Sequence, residues 1–269
     1  MKNHSDELNT NWRKVASSIY RKPRDSKIYG SVEIDITELE TFIAGKRKQG
    51  VKTTLTHLIT LIIGRALREE VPELNTYIKR GKVIKRKNID AMVSVLLKGG
   101  EMGSVKIENA DQLTVSELSG IITDKIRESR QGEENNTMQS KHLLSSVPWP
   151  LRNWLFNIYK IVTIDWGLSF PWVNLSSDSF GSFVVSNIGT LGLDTGYGAL
   201  LPSSNVSVVM IIGKEYKKPV VINDKVIIRK VFTLSATLDH RVVDGSHGGK
   251  LFRFIKYMIK NPYLLDQKP

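Results

Sequence analysis

The stretch Leu234-Ser-Ala-Thr-Leu-Asp239-His240-Arg241-Val-Val-Asp244-Gly245-Ser246-His247 carries the clearest chemistry in the chain. An apolar, strand-like run delivers His240 to a turn, the carboxylate of Asp244 follows four residues later, and Gly245 opens a helix. A histidine fixed between strand and helix, with a carboxylate nearby and glycines that free the backbone, is suited to act as a general base. The chain contains no cysteine. This excludes acyl-cysteine intermediates, thiolate zinc sites, iron–sulfur clusters and disulfides, so any thiol in the reaction must come from a cofactor or substrate. None of the five histidines stands with other ligands at metal-site spacing, and no metal is expected. His57, inside an apolar run, and His247 are read as structural rather than catalytic.

Several elements must position that turn. Ile28 to Ile36 alternates apolar and polar residues as a half-buried strand does, and Thr37 is placed to cap a helix over 38–48. Leu55 to Leu67 is apolar nearly all round and predicts a buried helix, capped by Thr53, Thr54 or Thr56. Short strands are expected between 75 and 110, then an amphipathic helix over 114–130, with Thr114 and Glu117 as a capping box. A helix is also expected over 8–22. The last third is strand-rich: Phe183–Ser186, Val206–Ile212, a hairpin turning at Asn223-Asp224, and Phe232–Leu238. A closing helix follows over 248–259.

The texture changes between about 133 and 178. Four of the five tryptophans fall there (Trp149, Trp154, Trp166 and Trp172), and residues 151–162 predict a helix with a broad apolar face. The segment reads as an atypical insertion in a single domain spanning 1–269. It is expected to cover the core as an extra helix; a hydrophobic acceptor channel, a subunit contact and a membrane-surface helix are its other readings.

Lys+Arg exceed Asp+Glu by 12, which favours anionic partners. No zinc-finger spacing, RNA-recognition signature or dense basic stripe with interleaved aromatics occurs, so nucleic acid is not expected. A phosphate-rich small molecule such as coenzyme A fits the charge equally well. No apolar core of signal-peptide length opens the chain and no run of 18 apolar residues occurs, which leads to a cytoplasmic expectation.

Asp239-His240-Arg241-Val-Val-Asp244-Gly245 after an apolar strand resembles the active-site signature of the catalytic domain of dihydrolipoamide acyltransferases, the core subunits of 2-oxo acid dehydrogenase complexes. Phe183-Val-Val-Ser186-Asn187-Ile188-Gly189 resembles the family's Phe-Thr-Ile-Ser-Asn-Leu-Gly strand. Arg13-Lys-Val-Ala16, Val32-Glu-Ile-Asp35 and Pro72-Glu-Leu-Asn75 are similar to segments of the same domain. Other features are similar to the related chloramphenicol acetyltransferases, namely Asp244-Gly-Ser-His247, Pro171-Trp-Val-Asn174 and Asn11-Trp-Arg-Lys14.

The resemblance implies an α/β fold of the chloramphenicol-acetyltransferase type, a two-layer sandwich with a mixed β-sheet covered by helices. It implies a coenzyme-A-dependent acyltransferase that moves an acyl group from a thioester to a thiol or hydroxyl by direct attack. In that reading His240 is the general base, Ser186 hydrogen-bonds the oxyanion, and Asp244 orients the site through the imidazole or through Arg13 or Arg241. Ser169 is the rival for the oxyanion role. Acyl-CoA and a small-molecule or lipoyl-type acceptor are the implied partners, in a homotrimer with its active sites between subunits. No lipoyl attachment site is expected in this chain, so a lipoyl protein would have to act in trans. An antibiotic O-acetyltransferase and a catalytically silent scaffold of the same fold are the alternative readings.

Overall fold

The computed structural model describes residues 26–96, 102–130, 148, 151–170, 180–201 and 204–269. The expected helix over 8–22 and Pro171–Asn174 lie outside them. Strand β1 (Lys27–Asp35) leads into helices α1 (Thr37–Lys48) and α2 (Leu55–Glu69). The hairpin β2 (Thr76–Lys79) and β3 (Lys82–Lys85) and the pair β4 (Ala91–Leu96) and β5 (Met102–Ile107) precede α3 (Val115–Arg130). Then come α4 (Leu151–Tyr159), a π-helical segment (Lys160–Asp165), β6 (Phe183–Asn187), β7 (Val208–Ile212), β8 (Tyr216–Ile222), β9 (Lys225–Asp239) and α5 (Gly245–Lys260).

Seven strands form one mixed sheet in the order β1-β9-β7-β6-β4-β5, with β8 added to the outer part of β9. The contacts β4–β6 and β6–β7 are parallel and the others antiparallel. Strand alternation divides the two faces. Phe232, Leu234, Ala236 and Leu238 of β9 join Val208, Met210, Phe183 and Val185 in the main core under α2 and α5. On the other face Val206, Val209 and Ile211 form a smaller cluster with Val184, Ile188 and Leu200. The α/β sandwich expected from the sequence is the observed architecture.

Helix α2 is buried on nearly every side, as its uniform apolarity predicts. Thr54 is its cap, the Oγ1 accepting from the His57 N–H. Gly64 lets it approach the turn at Ala110–Gln112, where a Cβ would come within 3.0 Å of the Asp111 nitrogen. Its Arg65 is buried and donates to the carbonyls of Leu113, Leu264, Leu265 and Gln267, so the C-terminal turn is stapled to the core by one side chain. The capping box of α3 is present: Glu117 accepts from the Thr114 N–H and Thr114 accepts from the Glu117 N–H.

Two expectations change in detail. Thr37 is the first residue of α1 rather than its cap, and the Asp35 carboxylate accepts from the Thr37 N–H instead. Strand β9 begins seven residues before Phe232 because β8 pairs with it from Lys225 onward, across a turn in which Asn223 and Asp224 both have positive φ.

His57 gives this core a pH dependence. It is buried, its Nδ1 has no hydrogen-bond partner among the described residues, and desolvation followed by the nearby Arg47 charge pushes its pKa down to about 4. The unfolded chain therefore takes up this proton near pH 6.5 and the folded chain does not, so stability is full above that pH and falls as pH drops toward 4. The loss is about 3 kcal/mol across that window. Urea unfolding from pH 7 to pH 4 should show it, and His57→Leu should flatten the profile.

Candidate active site

The apolar alternation of β9 stops at Asp239, where the chain must turn. Asp239 is buried, its N–H donates to the Ser207 carbonyl, and its carboxylate receives the Arg241 N–H (3.0 Å), Nε (2.9 Å) and Nη2 (2.6 Å). Ser26 Oγ adds a further bond at 3.3 Å. The two flanking residues thus clamp the turn from both sides. Arg241 is held above its usual pKa mainly by its hydrogen bond to Asp239, with smaller contributions from the charges of Asp239 and Asp165.

Between them sits His240, whose N–H donates to the Ser26 carbonyl at 2.7 Å. Its imidazole is exposed and makes no hydrogen bond to any described residue. The backbone is therefore fixed at both neighbours while the ring is available to a substrate. In the sequence Asp239 stands only as part of a motif, and Arg241 only as one residue through which Asp244 would orient the site. The signal for their role was the placement of an ionisable residue at the last buried position of an apolar strand, where a charge needs a partner.

Asp244 is the N-cap of α5. Its carboxylate accepts from the Ser246 N–H (2.8 Å), the Ser246 Oγ (2.7 Å) and the His247 N–H (3.4 Å), and its Oδ1 lies 2.9 Å from His247 Nδ1. His247 returns the bond by facing the Asp244 N–H, completing a capping box with histidine in the place usually taken by glutamate. These bonds, that of the Ser246 hydroxyl first, hold Asp244 well below the usual carboxylate range. Among the described residues Asp244 bonds to neither His240 nor Arg241, whose partner is Asp239; Arg13 lies outside them. Asp244 thus sets where α5 begins. His247 closes this capping box, and its Nε2 lies 4.0 Å from Glu73 Oε1.

Ser186 lies near the end of β6, half-buried, with no hydrogen bond from its hydroxyl to a described residue. Next to it, Asn187 reaches the N-terminus of α2 through its Nδ2 and Thr56 Oγ1 (3.3 Å). Ser186 stands beside Ile211 of β7, and Ile211 beside Ser235 of β9. His240 is five residues beyond Ser235, roughly 16 Å along the strand, before the strand widths separating β6 from β9 are added. One chain does not bring His240 and Ser186 together. Ser169 is exposed and follows the π-helical segment, outside the central sheet.

A family model described as the 2-oxoacid dehydrogenases acyltransferase catalytic domain matches residues 7–142 and 175–266. The chain belongs to that family. Its match skips 143–174, the stretch that holds α4 and the π-helical segment. The dihydrolipoyllysine-residue acetyltransferase component of the Rickettsia bellii pyruvate dehydrogenase complex is 23% identical over 96% of this chain and 53% of its own length. The lipoamide acyltransferase component of the Bacillus subtilis branched-chain alpha-keto acid dehydrogenase complex is 22% identical over 94% of this chain and 51% of its own. The chain thus spans about half the length of these relatives. Among solved structures, a probable dihydrolipoamide acetyltransferase from Listeria monocytogenes shares the fold with a TM-score of 0.66, at 19% identity, covering 97% of this chain and 93% of that one. A chloramphenicol acetyltransferase superposes with a TM-score of 0.50 at 16% identity, covering 97% and 100%.

Proposed function

We propose that this member of the acyltransferase family moves an acyl group between the thiol of coenzyme A and that of a dihydrolipoyl-type acceptor, with His240 as general base. The observation that carries the reading is the His240 turn: a backbone clamped by Ser26, Asp239 and Arg241, presenting an imidazole that no described side chain occupies. The imidazole takes the proton of the acceptor thiol as its sulfur attacks the thioester carbonyl. The carbonyl oxygen gains negative charge, and the Ser186 hydroxyl donates a hydrogen bond to it where the charge develops. The tetrahedral species then collapses, the carbon–sulfur bond to coenzyme A breaks, and the imidazolium returns the proton to the departing thiolate. No protein nucleophile is needed, in keeping with the lack of cysteine.

The distance between Ser186 and His240 within a chain favours a site assembled between copies, Ser186 entering from the neighbour, in a cyclic homo-oligomer such as a trimer. The many cations of the chain suit the phosphates of coenzyme A.

The purified chain, given acetyl-CoA and dihydrolipoamide, should release the coenzyme A thiol and form acetyl-dihydrolipoamide. A parallel series of hydroxyl acceptors, chloramphenicol included, separates this from O-acetylation. Thiol release at the same rate from the His240→Ala protein would sink the reading.

A further inference from the structure

Within the stretch that the family match passes over, α4 and the residues following it to Trp166 turn an apolar side outward. In a surface helix the apolar stripe ordinarily faces the core. In α4 and the π-helical segment, Leu151 (49% exposed), Trp154 (60%), Leu155 (38%), Ile158 (39%) and Ile161 (43%) recur at helical spacing and are all open to solvent. Only Thr163 and Ile164 of the π-helical segment are buried.

The segment is pinned to a cationic hairpin. The Arg80 N–H donates to the Asp165 carbonyl at 2.9 Å, and Gly167 lies so close to Lys79 that a Cβ would come within 2.6 Å of its Cδ and Cε. Trp166, 52% exposed, stands between these two anchors. Residues 76–87 contain Lys79, Arg80, Lys82, Lys85, Arg86 and Lys87 and no acid. All but Arg86 are exposed or half-exposed, and none of those five forms an ion pair with a described residue. Val83 of β3 is itself 54% exposed. Asp165 is the only acid of 148–170.

We propose that this combined face, α4 with Trp166 and the β2–β3 hairpin, docks onto the surface of an anionic lipid bilayer. Apolar and tryptophan side chains suit the boundary between headgroups and acyl chains, and the adjoining lysines and arginines meet the lipid phosphates. No helix among the described residues is long and apolar enough to cross a membrane, so α4 lies in the plane of the surface. A second copy docked by a two-fold contact is the poorer occupant, because it would set the hairpin's cations against their own copies. The inference stands on the exposed stripe and the hairpin charge, and does not depend on the acyl-transfer chemistry.

The test is co-sedimentation of the full chain with vesicles of phosphatidylcholine alone and of phosphatidylcholine mixed with phosphatidylglycerol. Retention on the anionic vesicles should be about ten-fold stronger and should fall with added salt. Trp154→Ser with Ile158→Ser, and separately Lys82→Glu with Lys85→Glu, should each lower it about ten-fold, with circular dichroism unchanged because all four side chains are at the surface. Equal binding to both vesicle types, or full binding by either double variant, overturns the proposal. So does a change of oligomeric state in the Trp154 and Ile158 variant by sedimentation velocity, which would assign the stripe to a second copy. Binding of an acidic protein in preference to anionic vesicles would also overturn it.

Discussion

Replacing His240 by alanine is expected to lower the rate of acyl transfer by about 10²–10⁴-fold, the usual contribution of a positioned general base. The loss should fall on kcat more than on KM, since the proton moves only as the acceptor attacks. Stability should hardly change, because the exposed imidazole bonds to no described residue and the turn is fastened through the backbone of His240 and the side chains of Asp239 and Arg241. A chemical-denaturation curve superposable on that of the parent, beside a collapsed rate, is the expected pair of results. A matching loss of stability would mean that the histidine is part of the scaffold instead.

Phe183→Ala should do the opposite. Phe183 is fully buried in the main core, between Ala91 of β4 and Val208 of β7, three residues ahead of Ser186. Truncating it removes a large apolar side chain and leaves a cavity where the three parallel strands meet, at a cost of about 3–5 kcal/mol. The urea midpoint should fall with an unchanged slope. By contrast Ile228→Ser, on the exposed ribbon of β8 and β9, should change stability by less than about 0.5 kcal/mol.

The sequence made the local elements legible because their signals are local. The uniform apolarity of Leu55–Leu67, the Thr114–Glu117 pair and the Asn223-Asp224 turn each report a short-range physical demand, and each is met in the structure. The strand that leads into the His240 turn was legible for the same reason. Long-range pairing was not. That Ser186 aligns with Ser235 and not with His240 is a matter of register across three strands, which the spacing between the two residues along the chain does not encode. Nor does a motif say which of its two carboxylates does what. Asp239 and Asp244 both flank His240, yet burial gives one an arginine and helix geometry gives the other an N-cap. The amphipathic pattern of residues 151–162 announced a helix, but its continuation as a π-helix and the outward turn of its stripe depend on the hairpin it meets.

The offset of Ser186 from His240 along the sheet has a consequence for mixtures. If each site draws its histidine from one chain and its serine from the next, a His240→Ala chain and a Ser186→Ala chain are each defective alone. Co-expressed in equal amounts, they should assemble rings in which about a quarter of the sites carry both intact residues. Two crippled proteins would then restore each other's activity, and a site contained within one chain would recover nothing.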